Sequence, residues 1–234
     1  MNKRRFIIPP VSLPVLLLIF FIFLAVFIVF SSVVMAAFEK LGMPPEVAYA
    51  LFLFALLGSF INIPIAEEVS YEPVLALGEV RFFGISYPVP YFDWAERRVI
   101  IAINVGGALV PLSIVLYEVF RLIYFGQFGL LFNTLLATLV AALFSHAFAR
   151  PVRGLGIAMP VFLPPLIAII LGWLLGDGNP NLVAYVSGTM GVLIGADLMN
   201  WNKIKNLGAP MVSIGGAGTF DGIFLAGVIA VLLV

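Results

Sequence analysis

Two aspartates are the residues best placed to do chemistry in this chain. Asp197 is closely followed by Asn200 and Lys203, and Asp221 closely follows the glycine-rich run Gly215-Gly216-Ala217-Gly218. Each belongs to a long apolar stretch, where an ionised side chain costs about 2.5–3.5 kcal/mol near the bilayer centre, so a carboxylate there signals function. At about 1.5 Å per helical residue, Asp221 lies on the order of 13 Å into the last such stretch. Two close carboxylates do not both ionise readily; one keeps its proton, and the pair can then act as general acid and base on a water molecule. His146, the only histidine, and Arg150 stand one helical turn apart and, with Asn200, are candidates to surround the pair. The main-chain amides of Gly215, Gly216 and Gly218 suit an anion-binding nest. Asn62 and Asn104 are lesser polar candidates in the same layer.

Composition narrows what such residues can serve. Hydrophobic residues make up 63% of the 234 positions and charged ones 10%, against about 25% charged in soluble domains. A soluble fold could not hide that much apolar surface. Twelve basic and twelve acidic side chains balance, so no basic face is offered to nucleic acid, and the expected partners are membrane lipids and, for a hydrolase, a transmembrane peptide. Cysteine is absent, which removes disulfides, thiolate catalysis and thiolate metal sites. One histidine is too few for a zinc centre, so neither metal nor cofactor is expected. Ser187 lies away from His146, toward the other half of its span, and reads as a packing position rather than a nucleophile.

The elements that must position these residues are membrane helices, since about 20 apolar residues span a bilayer core about 30 Å thick. Seven stretches qualify: Leu13 to Phe38, Val47 to Ile65, Val99 to Phe120, Leu130 to Phe148, Gly154 to Leu175, Leu182 to Asn200 and Val212 to Val234. The expected fold is therefore an all-α polytopic protein of the cell membrane, a single domain over 1–234, multi-pass, with about seven transmembrane helices. With the amino terminus cytosolic and the carboxyl terminus outside, ten lysines and arginines fall on the cytosolic side and only Lys40 and Arg121 outside, as basic residues are retained in the cytosol. The first stretch follows Lys3, Arg4 and Arg5 but is too long for a signal peptide, and is expected to remain as a span.

The longest polar connection, Ala66 to Arg98, reads either as a small cytosolic hairpin around Val80 to Ile85 or as an irregular loop anchored by Tyr87, Tyr91, Phe92 and Trp94. Gly106, Gly107, Pro111, Pro160, Pro164, Pro165 and the Gly215 to Gly218 run would loosen regular helix at membrane depth, which is tolerated where backbone is buried in protein or lines a cavity. Gly191/Gly195 and Gly218/Gly222 also fit the small-xxx-small spacing of tight helix packing. In a straight helix Asp197 shares a face with Met190, Leu193 and Ile194 and not with those glycines. Either the helix distorts after Gly195, or Asp197 meets a neighbour other than the last span.

Three resemblances accompany this reading. The segment Gly216-Ala217-Gly218-Thr219-Phe220-Asp221-Gly222 resembles the seventh-helix motif of presenilin-type intramembrane aspartyl proteases, which implies a hydrolase with Asp197 and Asp221 catalytic on helices six and seven. Ala196-Asp197-Leu198 through Lys203 and Lys205 to Asp221 more loosely resembles membrane cytidylyltransferases, which implies lipid-headgroup chemistry. Over most of the chain from about Ser59, the sequence is similar to a prokaryotic membrane-protein family, domain of unknown function sixteen-fourteen. That likeness is carried by Ser145-His146, Arg150-Pro151, Gly195-Ala196-Asp197-Leu198 and Ser213 to Gly222, and implies no activity. Broken helices, an aspartate at depth and a nearby histidine equally suit a proton- or cation-coupled transporter.

Overall fold

A computed structural model describes residues 13–152, 156–204, 208–216 and 222–234. Eight α-helices and five strands occur among them: α1 (Leu13–Lys40), α2 (Pro45–Gly58), β1 (Asn62–Phe82), β2 (Ile85–Asn104), α3 (Val110–Tyr124), α4 (Phe128–Phe148), β3 (Arg150–Val152), β4 (Gly156–Ala158), α5 (Leu163–Leu175), α6 (Pro180–Val192), the one-turn α7 (Trp201–Ile204), β5 (Met211–Ile214) and α8 (Gly222–Leu233). Helix α1 is apolar throughout and buries only Val34, Ala37 and Phe38. The rest of a rod about 42 Å long presents hydrocarbon outward, more exposed apolar surface than water tolerates on a monomer. The chain is a membrane protein.

The expectation of an all-α chain with seven spans is overturned. Among the described residues, four helical segments are long and apolar enough to cross a membrane: Leu13–Lys40, Val105–Tyr124, Phe128–Phe148 and Pro180–Lys203. The other apolar helices, α2, α5 and α8, have 14, 13 and 12 residues, about 18–21 Å of helix against a core of about 30 Å. The missing length is strand. Ile63 and Ile65, read as the end of a second helix, lie in β1; Val99 to Ile103, read as the start of a third, lie in β2; and Val212 to Ile214 lie in β5. An apolar β-branched run buried between neighbouring strands has the hydropathy of a membrane helix, and a hydropathy window cannot separate the two.

Nor is the hairpin small. Strands β1 and β2 have 21 and 20 residues and pair antiparallel from Asn62↔Asn104 to Phe82↔Ile85, with one register shift between Pro64 and Ala66. At about 3.3 Å per residue the ribbon is about 65 Å long. Its two-residue turn, Phe83-Gly84, has φ of 49° and 81°, the left-handed pair that matches strand twist in a type I′ hairpin. Beyond its base the ribbon carries large apolar side chains on both faces, interspersed with the charged Glu79, Arg81 and Asp93. Val80, Tyr87, Val89 and Tyr91 share one side, Leu75, Leu77, Phe92 and Trp94 the other, and all are exposed. At the base, β5 adds in parallel to β2, Ile100↔Met211 to Ile103↔Ile214. A second hairpin, β3 with β4, pairs Arg150↔Ala158.

The apolar helices run between two polar ends. At one end Lys40 donates to the carbonyls of Val231 and Leu232 (3.2 and 3.0 Å), Asn181 to that of Lys40 (3.2 Å), Arg121 to that of Leu41 (3.2 Å) and Asn133 to that of Leu175 (3.2 Å). The other end holds Ser59, Asn62, Asn104, His146 and Asn200. Between them α6 is the central helix, with every residue from Leu182 to Thr189 buried. It meets α4 at Gly191 and Gly195: a Cβ on Gly191 would stand 2.6 Å from that of Ala141, and one on Gly195 would overlap the carbonyl oxygen of Ala142.

Candidate functional site

Both core spans lose regular helix at the same end. The chain leaves β2 at Asn104 and passes through a π-helical turn, Val105–Leu109, into α3. Helix α6 widens into a π turn over Leu193–Asp197 and then tightens into a 3-10 turn over Leu198–Asn200. The distortion thus begins before Gly195, so Asp197 does not occupy the straight-helix face expected from spacing. The two turns border one apolar cluster that includes Ala108, Leu193, Ala196, Ile214 and Ile223.

Each break is stitched by a buried asparagine. Asn104 donates through Nδ2 to the carbonyl of Ser59 (2.8 Å) and to Oδ1 of Asn62 (3.0 Å), and its own Oδ1 accepts from the amide of Gly107 (2.7 Å). The hydroxyl of Ser213 on β5 donates to Oδ1 of Asn62 at 2.6 Å. One side chain therefore ties the start of α3 to α2 and, through Asn62, to β5, supplying partners that helix ends lack internally. Gly215 and Gly216 follow with φ of 85° and 89°. Gly215 presses on Gly107 and Ala108 too closely for any side chain, and the amide of Gly216 donates to the carbonyl of Ser213 (3.3 Å).

The second stitch is Asn200. Its Nδ2 faces the carbonyls of Gly195 (3.2 Å) and Ala196 (2.9 Å), which the π turn frees, and Nδ1 of His146 (3.2 Å). Lys203 donates to its Oδ1 at 2.8 Å, and His146 Nδ1 also lies 3.3 Å from the carbonyl of Gly195. That nitrogen either carries hydrogen and donates to Gly195 or accepts from Asn200, but cannot do both. The network has two proton arrangements at one geometry. Asp197 is half-buried at the end of the π turn, and Arg150 lies on the exposed strand β3.

The structure therefore brings together His146, Asn200 and Lys203, with Asp197 on the same broken segment, and places Gly215 and Gly216 beside the Asn104 stitch. Asp221 and Gly218 lie outside the described residues. Among those described, no three His, Asp or Glu side chains converge as a metal site would require.

Sequence reasoning passed over Glu118. It is fully buried on α3, as are Tyr185 and Thr189 on α6. Its Oε2 stands 2.9 Å from Nη2 of Arg121, one turn along. The signal was legible, since a glutamate inside an apolar run is as costly as an aspartate.

No curated protein and no solved structure matches the chain. The presenilin-type likeness thus finds no support there. The likeness from Ser59 onward does: the family described as protein of unknown function (DUF1614) matches residues 56–233, more than half of the chain, and the protein belongs to that family.

Proposed function

We propose that the chain is a multi-pass transporter of the cell membrane that moves a proton or small cation through the end where its two core helices are broken. The observation that supports this is the paired stitching of the breaks by Asn104 and Asn200. Backbone released from helix at depth is what transporters use to coordinate ions and substrates, and it persists only where protein or a water-filled cavity surrounds it. Beside one break, Nδ1 of His146 meets the Gly195 carbonyl and the Asn200 amide, so an imidazole nitrogen that can donate or accept a hydrogen stands beside the freed backbone. The full chain reconstituted in liposomes with an internal pH dye should dissipate an imposed proton gradient, and His146→Phe and Asn200→Leu should slow it at least tenfold. Wild-type liposomes that hold both a proton and a sodium gradient as well as empty ones would refute the reading.

A hydrolase is the second reading, and one observation favours it. Gly222, next to Asp221 in sequence, lies against α6, where its Cβ would stand 3.9 Å from Cγ1 of Val192, on the helix that leads to Asp197. In that reading one carboxylate takes a proton from water while the other gives one to the carbonyl of a transmembrane peptide. Asp197→Asn and Asp221→Asn should each abolish cleavage of a single-span reporter. Unchanged cleavage in either variant removes the dyad.

A further inference from the structure

Four polar atoms in the bundle interior are poorly satisfied among the described residues: Oε1 of Glu118 has no hydrogen-bond partner, its Oε2 has only Nη2 of Arg121 at 2.9 Å, and the hydroxyl of Tyr185 and Oγ1 of Thr189 have none beyond each other. They belong to side chains that are 0%, 1% and 0% exposed. Tyr185 and Thr189 are one turn apart on α6 and converge on Gly227 of α8, where a Cβ would overlap Oγ1 of Thr189 and stand 2.9 Å from the Tyr185 ring. Helix α3, which carries Glu118, packs against α6. Buried polar groups with so few partners on neighbouring helices call for an explanation, and an ion or proton held there is one.

We propose that Glu118, Tyr185 and Thr189 form an intramembrane proton site, in which the Glu118 carboxylate exchanges its ion pair with Arg121 for a proton. This deepens the transport reading and rests on it for coupling alone. Four oxygens are too few for a hard metal cation, which takes about six, but a proton needs one acceptor. Charge favours the same occupant. Glu118 and Arg121 together are neutral, and protonating Glu118 leaves a guanidinium that is already 26% exposed and already donates to the carbonyl of Leu41 at the polar end. Arg121 can turn to water, whereas a metal cation would leave its charge in the interior. Protonated, Glu118 gains a donor for the hydroxyls of Tyr185 and Thr189, each of which can accept one bond and donate another. The other charged groups at this end are Glu39 and Lys40 at the close of α1, Glu46 in the first turn of α2 and Asp177 between α5 and α6; Lys40 is held by carbonyls of α8, and α8 itself contributes no titratable side chain.

Dicyclohexylcarbodiimide tests the site on the full chain in liposomes. A protonated carboxyl adds across the carbodiimide and rearranges to a stable N-acylurea, while a carboxylate does not react. Peptide mapping should find the label on Glu118, declining as pH rises and absent in Glu118→Gln. Arg121→Gln removes the opposing cation and should move the half-labelling pH upward by at least about one unit, a tenfold change in proton affinity. Failure to label Glu118 between about pH 5 and 9, or labelling independent of pH, overturns the proposal and leaves a structural ion pair. A pH-dependent label in liposomes that carry no flux supports the proton site and overturns only the transport reading.

Discussion

Gly195→Ala tests whether the broken end of α6 is held by its approach to α4. The added methyl would overlap the carbonyl oxygen of Ala142 and come within 2.8 Å of its carbonyl carbon. An ordinary contact needs about 3.4 Å or more, so α4 and α6 must separate by on the order of 1 Å there. That is enough to break the two polar contacts spanning the gap, since His146 Nδ1 already stands 3.3 Å from the Gly195 carbonyl and 3.2 Å from Asn200. Overpacking costs about 1–3 kcal/mol and a lost hydrogen bond about 1 kcal/mol, so the variant should lose about 3 kcal/mol. Gly129→Ala on α4, where nothing lies within 4 Å, is the matched control and should be neutral or stabilising by up to about 1 kcal/mol. Reversible unfolding in mixed micelles, titrating denaturing detergent, reads both. A Gly195→Ala variant within about 0.5 kcal/mol of wild type would refute the packing argument.

Two further substitutions follow from the same geometry. Asn104→Ala leaves the amide of Gly107 and the carbonyl of Ser59 without partners in a fully buried position; a loss of about 3 kcal/mol is expected in the same titration, and a loss under about 1 kcal/mol would mean that water replaces the side chain. Gly84→Ala meets no atom within 4 Å but has a φ of +81°, so its cost of about 1–2 kcal/mol is backbone strain alone. Faster amide exchange confined to residues near the turn of the β1–β2 ribbon would confirm it, and unchanged exchange would not fit a left-handed turn.

What the sequence made legible depended on which physical property carried the signal. Apolar composition revealed the membrane setting, and the glycine spacing at Gly191 and Gly195 marked a close-packing face without naming α4 as its partner, because both are local properties of the residues themselves. The turn at Phe83-Gly84 was foreseen to within a few residues, yet the ribbon it closes was not. Strands that pair over such a distance are stabilised by partners far along the chain, and Val99 to Ile103 read as helix until β1 and β5 are beside them. Among site residues, His146, Asn200 and Gly215 were picked out as polar or conformationally free groups in apolar surroundings. Their links to Gly195, Lys203 and Gly107 come from helix breaks, which no periodicity announces. Asn62 was ranked low because a lone asparagine near a span's end is ordinary; its weight comes from Asn104 and Ser213 meeting at the same oxygen.

Strand β2 enters the core without an intervening loop. Asn104, the last residue of β2, is followed at once by the π-helical turn that leads into α3, and its side chain closes that turn. Parallel to it, β5 is bonded to the same strand and runs straight into the Gly215 turn pressed on Ala108. A ribbon about 65 Å long thus continues directly into the place where the core helices break. A tilt of a few degrees at its base moves the tip by several ångströms, and a force at the tip reaches that base amplified by the ratio of the two arms. Whatever touches Phe83 has mechanical purchase on the interior of the protein.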